Sequence, residues 1–332
     1  MPRSDYVRAL RGALPEAAFA RATSRLAFLP VHVAVIVVAT LAIARGWAPW
    51  FVWPALSLVI GACFAGMTFV GHELMHGGIL RRGRVQHAIG WLTFVPFMLS
   101  PTLWCGWHNR THHGRANRHD DPDGYPTLER YHARRGARFA VDAFSLGGER
   151  WRGALSLVLG FTVQSAHQLV AARAAGFLSA ADHRRACAES ALAAGVWACV
   201  AMVVGLVPFV FVFALPLLVA NACVMMFILT NHSLSPLVAI DDPLASGLTV
   251  TTPRVFEWLT LGFGYHVEHH LFPAMSTRHG RAVRALLQAR WPERYRSMPL
   301  VEALARLHRS ARVYKDPSTL LDPRTGREHA TL

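Results

Sequence analysis

The sequence predicts an all-α integral membrane protein: four transmembrane helices in two hairpins, with a cytosolic helical cap that carries three histidine clusters. Three observations lead there. Only 16% of the 332 residues are charged and 53% are hydrophobic, against roughly 25% charged in ordinary soluble chains. Several uncharged runs reach the length of about 20 apolar residues that a spanning helix needs. The third is histidine: 18 residues, nearly as many as the 20 carboxylates, gathered beside those runs. The same composition excludes disorder, and five Cys with no CxxC pair exclude a disulfide scaffold.

The chain is expected to form a single domain, 1–332. Residues 1–25 are a cytosolic segment, too polar and Arg-rich to be a cleaved signal peptide. Residues 26–71 form the first hairpin, because Leu26 to Ala44 and Gly46 to Gly71 contain no Asp, Glu, Lys or Arg. Residues 72–189 are cytosolic or interfacial. They include two ambiguous runs: Val85 to Trp107, broken by Pro96 and Pro101, and Gly153 to Ala172, which carries Gln164, His167 and Gln168. The uncharged stretch Ser190 to Ile240 supplies the second hairpin, 190–232, with Pro208 near its turn. Residues 233–332 return to the cytosol, with an amphipathic stretch near Val301 to Leu307 and a loose terminus.

Orientation follows from arginine, since cytoplasmic flanks collect positive charge. Arg3, Arg8, Arg11, Arg21 and Arg25 precede the first run, and Arg81, Arg82 and Arg84 follow the second. Both termini are therefore expected in the cytoplasm, and a bacterial inner membrane is the expected location. The net charge of +14 suits basic loops at an anionic lipid surface or the docking of an acidic redox protein. No stripe of basic residues interleaved with aromatics suggests nucleic acid.

The histidine clusters are His72-Glu73-Leu74-Met75-His76, His108-Asn109-Arg110-Thr111-His112-His113 and His266-Val267-Glu268-His269-His270. On a helix His72 and His76 share a face, as do His108 and His112, while His113 turns about 100° from His112. One cluster can thus address two ions. Histidine at a bilayer edge is costly and tends to be functional. To converge, the clusters must lie on one membrane face, so an even number of crossings separates each pair. Val85 to Trp107 then cannot span, and Gly153 to Ala172 is set aside as well. His232, closing the fourth span, falls on the same face and is a ninth candidate ligand. His32, His87, His119, His132, His167, His183, His279, His308 and His329 are expected to be ordinary.

Imidazole suits several metals, but a catalytic zinc wants three protein ligands. Eight or nine imidazoles describe two ions with open positions, and two irons could activate dioxygen. The clusters HELMH, HNRTHH and HVEHH, with the trailing Asp120-Asp121-Pro122-Asp123 and the string HVEHHLFP, resemble the membrane fatty acid desaturase and hydroxylase superfamily over His72 to Pro273. The resemblance implies four spans, a cytosolic cap and a di-iron centre with O2 as co-substrate. It also implies hydrogen removal from unactivated C–H bonds of fatty acyl chains, carried by CoA, a carrier protein or a lipid. The ligands it implies are His72, His76, His108, His112, His113, His266, His269 and His270, with His232 matching a further histidine that many members have. Asp121 and Asp123 fall where the family has a DPD-like element, with a role orienting ligand histidines or simply a loop turn. No heme motif or ferredoxin-like Cys spacing is present. The electrons are therefore expected from a separate donor such as ferredoxin or cytochrome b5.

Desaturation is the leading expectation. Hydroxylation or ketolation of a fatty acyl or carotenoid substrate is the alternative, since the clusters do not separate double-bond formation from oxygen insertion. Trp91, Phe94, Phe97 and Trp104 are candidates for an acyl tunnel wall or for membrane contact. Two rivals come from other classes. HELMH fits the HExxH of zinc proteases with Glu73 as general base, and a metal transporter would place its ligands near the bilayer midplane.

Overall fold

Helix dominates because, in hydrocarbon, an apolar run must satisfy its backbone hydrogen bonds within itself. The computed structural model describes residues 1–332. A short N-terminal helix, α1 (Arg3–Arg11), precedes α2 (Phe28–Ala44) and α3 (Trp53–His76). Next come α4 (Arg84–Phe94) and α5 (Pro101–Trp104), which runs on into a π-helix over Cys105–His112. The later principal helices are α6 (Ala154–Ala171), α7 (Ala180–Val204), α8 (Leu215–His232), α9 (Arg254–Leu259), α10 (His266–Leu271), α11 (Gly280–Arg290) and α12 (Leu300–Arg309).

Five helical stretches are long and apolar enough to cross a membrane: Thr23–Ala44, Trp50–His76, Trp151–Ala171, Ala180–Val204 and Leu206–His232. The four expected spans are among them. The fifth, Trp151–Ala171, is the segment set aside for its polar residues. Its hydropathy of 1.3 is the lowest, against 1.8 to 2.5 elsewhere, so Gln164, His167 and Gln168 dilute its apolar character without abolishing it. The run with two prolines is bent by 100° between Arg84–Phe97 and Pro101–Arg115. Met98 takes a left-handed conformation (φ 52°) at the break, and the Ser100 side chain caps the new helix by accepting from the Leu103 amide at 3.1 Å.

The chain is mostly helical, as expected of an all-α membrane protein, and five short strands accompany the helices. β1 (Thr249–Thr251) pairs in parallel with β2 (Ser297–Pro299). β3 (Val313–Asp316), β4 (Thr319–Leu321) and β5 (Glu328–Ala330) form an antiparallel sheet in the segment expected to be loose. Three- and four-residue strands are too short to show a period in sequence. β3 and β4 bury the Tyr314 and Leu320 side chains with Leu237 and Ala311.

Residues group into two compact units. The first comprises Arg21–Asn109 and Phe161–Val224; the second comprises Met1–Ala20, Arg110–Gly160 and Met225–Leu332. In the first, small residues let helices approach closely. A Cβ at Gly61 would lie 2.7 Å from the Pro216 carbonyl oxygen, and one at Gly71 would lie 2.3 Å from Thr93 Oγ1. In the second, Tyr6 and Leu10 of α1 pack with Val267 and Leu271 of α10 and Val283 and Leu287 of α11.

Candidate metal centre

In the first unit α3 continues through HELMH and stops at Gly77, whose φ of 91° ends the helix. His72 and His76 therefore lie one turn apart with ring centroids 4.7 Å from each other. His108 meets them from the π-helix, its Nε2 3.2 Å from His72 Nε2. The ligand atoms of these three lie within 4.8 Å of one another. The Trp104 ring stacks on His108 at 4.6 Å and stands edge-on to His72 and His76. Phe94, Phe97 and Trp104 are all buried, and the Trp91 indole donates to the Glu189 carbonyl at 2.9 Å. The aromatic segment thus packs within the protein, with Trp104 against the histidines. Glu73 of HELMH is ion-paired with Arg25.

The second cluster differs from the α-helix assumed for it. Cys105–His112 is a π-helix, with a wider turn closed by i→i+5 bonds. His112 and His113 still diverge, their rings 5.8 Å apart and at 80°. Within the second unit His112 faces His232 (4.9 Å) and His270 (5.2 Å). His113 stacks on His270 at 4.2 Å, and its Nε2 lies 3.2 Å from His269 Nε2. The His232 Nε2 lies 2.5 Å from His266 Nε2 and 3.3 Å from His270 Nε2. The ligand atoms of His112, His232 and His270 are within 4.8 Å of one another, and all three residues are buried.

The surrounding atoms set the ring tautomers. His232 Nδ1 lies 2.8 Å from the Ser246 carbonyl oxygen; a carbonyl only accepts, so Nδ1 carries the proton and Nε2 offers its lone pair. His112 Nδ1 donates likewise to Asp121 Oδ1 at 3.0 Å, with Asp123 Oδ2 at 3.4 Å. Burial opposes charge on His112, but the field and hydrogen bond of Asp121, with help from Asp123, raise its pKa to about 9. Burial, reinforced by the neighbouring imidazoles, holds His270 well below its ordinary value and so keeps it neutral.

This donor set fits a metal. One lone pair on His232 Nε2 cannot accept from both His266 and His270, whereas nitrogens bonded to one ion at about 2.0–2.1 Å lie roughly 3 Å apart. Hydrogen-bonding each ligand ring from behind is the usual support for such a site.

Some supporting residues carry no signal of their role in sequence. Asn117 donates its backbone N–H to Asp121 Oδ2 at 2.8 Å and its amide to the His232 carbonyl at 2.9 Å. Its φ of 54° is a conformation Asn tolerates, the one hint available. Glu268 is buried between Thr249 Oγ1 (2.6 Å) and Tyr295 OH (2.5 Å), and burial raises its pKa. Of the histidines expected to be ordinary, His87 bonds Glu189 at 2.7 Å and His183 Nε2 lies 3.0 Å from the Leu169 carbonyl oxygen.

The sequence profile of the fatty acid desaturase family matches residues 46–301. The chain belongs to this family. It is an oxidoreductase by that membership. Among curated relatives it is similar to an sn-1 oleoyl-lipid 12-desaturase from Arthrospira platensis, 21% identical over 259 residues that cover 72% of this chain and 71% of the relative. The matched region takes in all three histidine clusters and His232. A membrane protein able to bind metal through clustered histidines is what this desaturase-family chain presents.

Proposed function

We propose that this desaturase-family protein is an O2-dependent di-iron fatty acyl desaturase that takes electrons from a separate donor protein. The observation that carries the reading is the gathering of histidine nitrogens within reach of a shared ion, with Asp121 and the Ser246 carbonyl fixing the rings of His112 and His232. His72, His76, His108, His112, His113, His232, His266, His269 and His270 would hold two irons. Bound iron supplies the activation of dioxygen needed to remove hydrogen from an unactivated C–H bond. The protein's own residues hold the imidazoles in fixed tautomers and keep the site buried. Trp104 packs against His72, His76 and His108, with Phe94 behind it.

The protease alternative loses support because Glu73, its required general base, is engaged by Arg25. We also propose that four spans cross and that both termini are cytoplasmic, with the Arg-rich flanks on that side.

Two measurements test the reading. Purified protein should contain about two irons per chain, at roughly four imidazoles per ion, and His112→Ala should lose iron. A host expressing the protein should gain an unsaturated fatty acid absent from the His112→Ala control. One zinc per chain with activity independent of O2 would overturn the proposal.

A further inference from the structure

A cavity of about 280 Å³ opens in the second unit, lined by β1, α9 and α11. Arg254, Arg281 and Arg284 face it with a single carboxylate, Glu257. That carboxylate is already engaged: Arg281 reaches Oε1 at 3.0 Å through Nε and Oε2 at 2.7 Å through Nη2. Arg254 and Arg284 pair with no carboxylate, and Arg284 Nη2 donates only to Ser297 Oγ, at 3.2 Å. Two guanidinium groups with no ion-paired carboxylate therefore share one hollow with Thr251 and Gln288, Arg284 feeling only the field of the buried Glu268. Guanidinium groups arranged in this way match the oxygens of a phosphate.

The rim of the cavity selects among phosphates. α9 puts Arg254 and Glu257, three residues apart, on the cavity side, while Val255, Phe256 and Trp258 are 67%, 59% and 63% exposed. Exposed aromatic and aliphatic side chains next to arginine are the composition of a helix lying in the headgroup layer of a bilayer. A free inorganic anion would gain nothing from that apolar rim, whereas a phospholipid presents a phosphate and acyl chains together.

We propose that this cavity binds the phosphate of a membrane phospholipid, with α9 lying beside it in the headgroup layer. The inference rests on the chain being a membrane protein and not on its catalysing desaturation. The test uses full-length, iron-loaded protein in a neutral detergent, titrated calorimetrically with dihexanoyl phosphatidylglycerol and, in a parallel arm, with inorganic phosphate. The lipid should bind saturably and more tightly than inorganic phosphate. Arg254→Gln with Arg284→Gln should weaken lipid binding by about tenfold or more, as expected for lost hydrogen bonds to a charged group. Arg306→Gln, on α12 and outside the cavity, should leave it unchanged. Iron content is read on the same samples, so loss of lipid binding with iron retained separates this site from the metal centre. Arg254→Gln alone, at an exposed position, serves if the double variant does not fold. Unchanged binding by the cavity variants, equal weakening by Arg306→Gln, or inorganic phosphate binding as tightly as the lipid would overturn the proposal.

Discussion

Asp121 and Asn117 decide how the second histidine cluster presents its rings. Asp121 accepts from His112 Nδ1 and from the Asn117 amide at once, so one carboxylate fixes both a ring and the loop that follows it. Asp121→Asn keeps the shape but removes the charge behind the imidazole. Iron affinity should fall about 10- to 100-fold, measured by competition with a chelator, while the thermal melt of the metal-free protein changes little. An unaltered affinity would assign Asp121 to the loop alone. Asn117 has a separable role. Asn117→Ala should destabilise by roughly 1–2 kcal/mol from its left-handed backbone, with a further loss for the carbonyls of His232 and Ser235 that its amide now satisfies. Asn117→Gly restores the backbone freedom but not the amide, so its melting temperature should fall between those of wild type and Ala. The histidines were legible because spacing by four is a local property of helices, and Asp121 through its place in a DPD-like element. The Ser246 carbonyl, Thr249 and Tyr295 were not, since each reaches the cluster across a long sequence separation.

The bent pair formed by α4 and α5 depends on one carboxylate in a neighbouring helix. Glu189 of α7 accepts from Ser100 Oγ at 2.7 Å, from Thr102 Oγ1 at 3.1 Å and from Arg185 Nε at 2.7 Å, and it bonds His87 at 2.7 Å. It therefore ties the last turns before His108 to a long apolar helix, although sequence showed it only as the charge that ends an uncharged run. Glu189→Ala would leave the buried Ser100 hydroxyl, and the partly buried Thr102 and His87, without this acceptor. We expect a loss of about 1–3 kcal/mol, the scale for a buried hydroxyl left without its partner, read as a lower melting temperature in detergent. A melt equal to wild type would show that the bend is held by packing alone. The π-helix that follows was equally hidden, because an extra residue in a helical turn changes no composition or period that a short sequence window can register. Strands β3 to β5 were missed for a related reason: their order comes from partners such as Leu237, more than 70 residues away.

Crossing parity links these local contacts to the topology of the whole chain. His72 and His108 nitrogens are 3.2 Å apart, so we propose that the bent pair between them returns to the face from which it started. His113 and His269 nitrogens are also 3.2 Å apart, yet three apolar helices long enough to span lie between them. Three crossings would put the two residues on opposite sides of the membrane, so an even number must cross. Ala180–Val204 and Leu206–His232 are the more apolar of the three, so we propose that Trp151–Ala171, with its polar Gln164, His167 and Gln168, is the helix that stays on one side. Cysteine labelling from outside intact cells distinguishes the cases. In a background lacking the exposed Cys187 and Cys199, Ala140→Cys and Ala174→Cys, both at exposed positions flanking Trp151–Ala171, should resist an impermeant thiol reagent. Both should react once the membrane is opened. Labelling of Ala174→Cys but not Ala140→Cys in intact cells would make Trp151–Ala171 a true span and rule out a four-span topology with both termini in the cytoplasm.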